Sequence, residues 1–389
     1  MQSSETMNDQ NGNSMSTSCF EKEFHALLHF FFDEKSGDEF PNLRSEKLLP
    51  LLQEHRLSSF YTSQALAKGH SIDSPILDEA ASEQNRLFLQ FAELGRIGLL
   101  FQEAEIDFIP LKGPFLSHRI SGNYYIRNSQ DLDLLIHDLD LPEVIEILQK
   151  QHYQSELQLP KTQKQLAALL RSKHHLTFYE NDTDTRIEIH WRLLAPNYMD
   201  RWDNEHIWSR SSIENHGKLK IRTLSKIDEI LYLCIHGTRH HWGRLFWLND
   251  LRLLLQQMKP EDYQKLEKAA QEFDLTKYLE NSRSLIKNLS EGDFENIPNE
   301  TREIWQALEK GNNTAFQSSQ KGFRSGNYIR HYRMVLKYEG WRGVWRENKQ
   351  RRTKPENWNY FVFPDRYFCF NQYFSRIIWL LRRMLPQRS

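Results

Sequence analysis

The chain has 389 residues, enough for two or three units of ordinary domain size. Lys and Arg number 51 against 52 Asp and Glu, a balance that argues against a general nucleic-acid coat. Three widely spaced cysteines, Cys19, Cys234 and Cys369, give neither a disulfide framework nor zinc-knuckle spacing and point to a reducing, cytoplasmic compartment.

Residues 1–19 are rich in Ser, Asn, Gln and Met, lack the basic start and apolar run of a secretory signal, and read as a disordered tail. From 20 to 105 the spacing predicts helices, with Phe24, Leu27, Leu28 and Phe31 on one face and Leu87, Phe91, Leu94, Ile97 and Phe101 on another. Arg86 to Glu103 reads as one long amphipathic helix, in which Gly95 and Gly98 leave room for close packing of another element.

The texture changes at Ile106. A short apolar run to Leu111 predicts a strand, Lys112-Gly113-Pro114 a tight turn into a helix, and Asp131 to Ile136 a second strand. A helix from Leu141 to about His152 and a polar helix over Lys161 to Leu170 come next. His175 to Tyr179 and Arg186 to Trp191 read as strands joined by a turn at Asn181 to Asp184. The stretch 106–225 is thus a compact unit of about 120 residues. Helical periodicity returns over Ile227 to Thr238 and Leu245 to Met258 and continues to 320, with a loop near Gly292 to Pro298. The segment 321–389 is basic and aromatic-rich, with 16 Lys/Arg against 4 Asp/Glu, and Gly343 to Pro364 reads as irregular. The expected class is α/β in the α+β sense, a small mixed-sheet core flanked by N-terminal and C-terminal helical regions. No run reaches the ~18 apolar residues of a membrane span.

The chemistry concentrates in Arg127-Asn-Ser-Gln-Asp131-Leu-Asp133-Leu-Leu-Ile136. Strand alternation points Asp131 and Asp133 the same way. Two carboxylates ~4 Å apart repel by about 4 kcal/mol at an effective dielectric of ~20, so the pair is either well solvated or shares a cation. Oxygen ligands of this kind suit Mg²⁺ or Mn²⁺. A bare Asp-x-Asp also occurs on solvated strand edges. A second strand, Arg186-Ile-Glu188-Ile-His190, puts Arg186, Glu188 and His190 on one face, so Glu188 meets the aspartates if the strands are neighbours. Without metal, the like charges are expected to raise at least one carboxylate pKa. Removing one charge, as in Asp133→Asn, is then expected to leave the fold as stable or more so. The turn at Lys112 and Gly113 supplies a cation and a helix N-terminus suited to phosphate.

Two further clusters stand out. His236 and His240 share a helix face near His241, Trp247 and Asp250; they fit a packed helical hairpin, a zinc site lacking an obvious third ligand, or a site rim formed by His240 and Asp250. Arg342, Arg346, Lys349, Arg351, Arg352 and Lys354 alternate with Trp341, Trp345 and Trp358. That mixture suits an anionic membrane interface or packing against the rest of the chain, whose net charge is −13.

In order, Leu111-Lys112-Gly113, Arg127, Asp131-Leu-Asp133-Leu-Leu, Glu188-Ile-His190-Trp191, His236-Gly-Thr-Arg-His240 and Leu245-Phe-Trp247-Leu-Asn-Asp250 resemble the polymerase-beta-like nucleotidyltransferase superfamily. More narrowly they resemble a bacterial family of uncharacterised nucleotidyltransferases. The resemblance implies that Asp131, Asp133 and Glu188 are catalytic and hold Mg²⁺ or Mn²⁺, with Glu188 helping to deprotonate an attacking hydroxyl. It implies that Lys112, Gly113 and Arg127 bind nucleotide and that His190, His240 and Asp250 lie at the rim. The implied reaction moves a nucleoside monophosphate from an NTP to a sugar, lipid, peptide or protein hydroxyl. The usual Gly-Gly or Gly-Ser turn is here Lys-Gly-Pro, so an inactive binding protein of the same fold remains an alternative. So does a nucleic-acid-binding module using the basic C-terminal region.

Overall fold

The computed structural model describes residues 19–32, 45–180, 185–194, 202, 204–295, 297, 298, 301, 302, 306 and 325–351. The N-terminal tail before Cys19, the turn at Asn181 to Asp184 and everything after Arg351 lie outside the described residues.

Helices α1 (Cys19–Phe32), α2 (Ser45–His55), α3 (Ser58–Ala67) and α4 (Ser74–Glu103) precede the first strand. Pro75 sits in the first turn of α4, where its missing N–H costs nothing. Strand β1 (Phe108–Pro110), helix α5 (Gly113–Ser121), strand β2 (Leu132–Ile136), helix α6 (Leu141–Lys150), strand β3 (Gln154–Ser155), helix α7 (Gln163–Ser172), and strands β4 (His175–Glu180) and β5 (Thr185–His190) form the α/β core. The sheet order is β1-β2-β5-β4-β3; β2 and β5 run parallel, and the other pairs are antiparallel.

Alternation divides the sheet between two cores. Leu132, Leu134 and Ile136 of β2 join Ile187 and Ile189 of β5, Leu176 and Phe178 of β4, and Trp191 in an apolar layer with α4, α6 and α7. Ile109 and Leu135 point into the other core, which is helical. Helix α8 (Asn204–Arg210) leads to a hairpin, β6 (Ser212–His216) and β7 (Leu219–Thr223), that the sequence reading missed. Only β7 shows buried alternation, and β6 is solvent-facing. The cue was Gly217, which turns at φ +63°. A Cβ on Gly98 of α4 would come within 2.8 Å of Phe108 and 3.0 Å of Leu219, so this glycine does allow β1 and β7 to approach the helix.

Helices α9 (Lys226–Arg239), α10 (Leu245–Gln256), α11 (Pro260–Glu272) and α12 (Thr276–Ser290) follow. The Ser225 hydroxyl caps α9 by accepting from the Asp228 N–H at 3.1 Å. Phe24, Leu28, Leu51 and Tyr61 share one core with Leu231, Leu248 and Leu279, so helices from both ends of the described chain form a single lobe. A final helix runs over Ser325–Arg351 with a break at Gly340, so Gly343 to Arg351 is helical rather than irregular. No described helix is long and apolar enough to cross a membrane.

Candidate active site

The polar face of the sheet turns toward the helical lobe, and a cleft of about 400 Å³ lies between them. Its floor follows from strand register. Asp133 of β2 sits beside Glu188 of β5, and Leu135 beside His190. Glu188 pairs across β4 with Thr177, and His190 with His175. Hence Asp133, Glu188, His190 and His175 rise from one face while their apolar neighbours fill the core beneath. Ligand atoms of Asp133, Glu188 and His190 all lie within 4.8 Å of one another. Asp131, just before β2, lines the same cleft.

The cations matching these acids come from the turn before α5 and from β5 itself. Lys112 Nζ lies 2.8 Å from Asp133 Oδ2, and His190 Nε2 lies 3.2 Å from Asp133 Oδ1 and 3.5 Å from Glu188 Oε2. Lys112 stands at the N-cap position of α5 and is followed by Gly113 at φ +64°, a left-handed conformation that L side chains resist. A Cβ there would meet nothing closer than 3.8 Å, so conformation rather than space explains the glycine. Gly113 itself is buried, and the cleft wall is made by Lys112.

The electrostatics divide unevenly. Burial opposes the charge on Asp133, yet Lys112 and His190 hold its carboxyl well below the usual range. Glu188 is likewise held down against burial, chiefly by the His190 hydrogen bond. Burial disfavours the His190 cation, but hydrogen bonds to Asp133 and Glu188 push its pKa up to about 9. Asp131 moves the other way: burial first, then repulsion from Asp133, pushes it up to about 6. The expected like-charge strain therefore falls on Asp131. Asp133→Asn is therefore expected not to relieve strain but to leave Lys112 and His190 without the carboxylate they share.

His190 thus occupies the centre of the cluster and not its rim. Asp250 is also displaced from the rim: it is 1 % exposed and accepts from Arg127 Nε at 2.8 Å behind the cleft wall. Arg127 lines the cleft and lies 5.0 Å from the centre of the Phe246 ring. His240 does line the cleft, beside His236; its ring is tilted against Trp247 with centroids 4.9 Å apart, and that of His236 meets Trp247 edge-on at 5.6 Å. His236 is half-buried and His240 exposed at the cleft surface; desolvation within the cleft, then Lys112 and Arg239, lower both imidazole pKa values.

Several lining residues were not singled out from the sequence: Arg56, His174, His175, Tyr232 and Arg239. Arg56 follows α2 in a left-handed conformation, at φ +57°, and donates to the Gln130 side chain. His174-His175 at the start of a strand flanking the carboxylate strand was a readable cue; the contribution of Arg56 from the helical lobe had none.

A family model described as "Uncharacterised nucleotidyltransferase" matches residues 41–291. That span takes in the helical lobe from α2 as well as the sheet and the cleft. No curated protein matches the chain.

Proposed function

This chain belongs to the uncharacterised nucleotidyltransferase family, and from that premise we propose that it moves a nucleoside monophosphate from an NTP to a hydroxyl acceptor. The acceptor oxygen bonds to the α-phosphorus, the bond from that phosphorus to the bridging oxygen breaks, and pyrophosphate leaves with the electron pair. Glu188, 17 % exposed in its side chain and facing the cleft, takes the hydroxyl proton. The observation that carries the reading is the in-register pairing of Asp133 with Glu188 on parallel neighbours, with Asp131 in the same cleft.

Asp131, Asp133 and Glu188 are the residues that would hold Mg²⁺ or Mn²⁺. Their donor set fits a hard divalent ion, since carboxylate oxygens of Asp133 and Glu188 already lie within 4.8 Å. Such an ion supplies neutralisation of phosphate charge. The chain adds its own cations: Arg56, Lys112, Arg127, Arg186 and Arg239 line the cleft against three carboxylates, an excess suited to a polyphosphate.

The test is pyrophosphate release on incubation with each NTP and Mg²⁺, with mass spectrometry of candidate sugar, lipid, peptide and protein acceptors. Release that disappears in Asp131→Asn and Glu188→Gln supports the reading; NTP binding without release from any acceptor would leave a binding protein of the same fold. One observation favours that second reading: Lys112 and His190 already occupy oxygens of Asp133 that a metal would use.

A peripheral contact with anionic membrane is the remaining element. It is supported by Trp341 and Trp345, 77 % and 64 % exposed, and by the exposed Arg342 between them. Sedimentation with phosphatidylserine vesicles that falls in the Trp341→Ala, Trp345→Ala double variant supports it; equal sedimentation of both proteins overturns it.

A further inference from the structure

We propose that His174, His175 and His190 form a second cation site in the cleft, one that takes a borderline-soft divalent transition metal such as Zn²⁺ or Co²⁺ in preference to Mg²⁺. The site rests on geometry alone and does not depend on nucleotide transfer.

One nitrogen from each of the three imidazoles lies within 4.8 Å of the others. Backbone pairing makes the arrangement: His175 is directly opposite His190 on β4 and β5, and His174 immediately precedes β4. His174 Nε2 and His175 Nδ1 are 3.1 Å apart. A tetrahedral centre with metal–nitrogen bonds of about 2.0–2.1 Å sets its ligand nitrogens roughly 3.3–3.4 Å apart, so this spacing is close to one edge of such a site. Imidazole nitrogens select zinc, cobalt, nickel and copper, whereas the oxygens of the neighbouring carboxylates select magnesium and manganese.

His190 supplies an independent pointer. Its Nε2 is held by Asp133 and Glu188, at 3.2 and 3.5 Å. Its Nδ1 is buried and has no hydrogen-bond partner among the described residues, in a side chain only 5 % exposed. A metal-binding histidine typically donates its other N–H to a carboxylate, which fixes the ring and leaves the second nitrogen for the ion. His190 has that arrangement: the ion would displace the proton from Nδ1, leave the Nε2 proton to the carboxylates, and supply the partner that this buried atom lacks among the described residues. Three imidazole ligands leave one coordination position for water or a substrate oxygen, as in catalytic rather than structural zinc sites.

The experiment uses the full chain without an affinity tag of histidines, freed of metal by chelation and titrated with Co²⁺. The wild type is expected to bind one equivalent with visible d–d absorption, undiminished by a large excess of Mg²⁺. His174→Gln and His175→Gln keep a hydrogen-bonding side chain at half-exposed positions, so a merely hydrogen-bonded cluster survives them. Loss of outer-shell partners alone commonly weakens metal binding 10–100-fold, so losing a ligand is expected to weaken Co²⁺ binding at least about tenfold. Asp131→Asn is expected to keep the Co²⁺ spectrum while losing the Mg²⁺ response of the carboxylates, which separates this site from the proposed transfer. An unchanged spectrum in the His174→Gln, His175→Gln double variant, or no absorption in the wild type, overturns the proposal.

Discussion

Two ion pairs of equal length, each built on a buried aspartate, have opposite consequences. Lys112–Asp133 and Arg127–Asp250 are both 2.8 Å long, and both aspartates are at most 4 % exposed. Yet Asp133 is held well below the usual carboxylate range, while Asp250 is raised because burial outweighs Arg127. The difference is the number of cations. Asp133 has Lys112 and His190; Asp250 has a single guanidinium, also drawn to Phe246 and to the Asn128 carbonyl. Asp250 positions an arginine at a cleft wall. Asp133 is itself the cleft floor, and its charge is over-determined.

Breaking the Asp133 pair should have the larger effect. Asp133→Asn is expected to destabilise the protein by about 3–5 kcal/mol, since removing one partner leaves buried cations uncompensated. Transfer should be lost with it. Denaturant unfolding measures the first; a stability equal to wild type would mean that Lys112 and His190 find other partners.

The next effect is a pH dependence carried by His190. Its folded pKa, about 9, lies above the ordinary 6.5, so its contribution is fully present below pH 6.5 and is lost as pH rises through 9. The shift corresponds to roughly 3 kcal/mol at most. Unfolding at pH 6, 7.5 and 9 should show this decline, and His190→Gln should flatten it. A wild-type stability that is level across the window would count against the His190 assignment.

The contrast also explains what could be read in the sequence. Asp131-Leu-Asp133 and Arg186-Ile-Glu188 showed their facing through period-2 alternation, because their neighbours Leu132, Leu134, Ile187 and Ile189 are core residues. The strand, helix and turn around Lys112 were legible for the same reason. Partnership was not: Lys112 and Asp133 are 21 positions apart and meet through the β1–β2 pairing, and Arg127 and Asp250 are 123 apart, a separation closed where the α/β core meets the helical lobe. His190 read as rim because alternation gives a face but not which neighbour occupies it. The β6–β7 hairpin escaped because an outward-facing strand has no buried alternation to show.

Loosening the other pair should cost less. Asp250→Asn keeps an acceptor near Arg127 but removes the charge, and a hydrogen bond to a charged group is worth about 1.5–3 kcal/mol. The expected loss is about 2 kcal/mol, below that of Asp133→Asn, with a raised KM for NTP as Arg127 loses its anchor. Steady-state kinetics and unfolding on the same variant check both. A larger loss at Asp250 than at Asp133 would reverse the ranking of the two pairs.

The smallest change concerns Asp131, where burial and Asp133 outweigh the attraction of Lys112 and Arg56, and it runs in the opposite direction. Its folded pKa of about 6 exceeds the ordinary 3.8, so the folded state binds its proton more tightly than the unfolded chain does. Ionising Asp131 therefore costs stability: the favourable state is complete below pH 3.8 and is lost as pH rises through 6. The full shift would be roughly 3 kcal/mol, and screening by solvent in the cleft reduces it to about 1–2 kcal/mol. Asp131→Asn removes the charge and its repulsion from Asp133. At pH 7 without metal it should be more stable than wild type by that amount, and at pH 4 the two should converge. A divalent ion that binds only the folded state should raise the wild-type melting temperature and narrow the gap, because mass action offsets the same repulsion. Thermal melts of both proteins at pH 4 and 7, with and without Mg²⁺, read all of this. If Asp131→Asn were less stable at pH 7, Asp131 would be a paired structural carboxylate like Asp250; if Mg²⁺ raised both proteins equally, Asp131 would not be among its ligands.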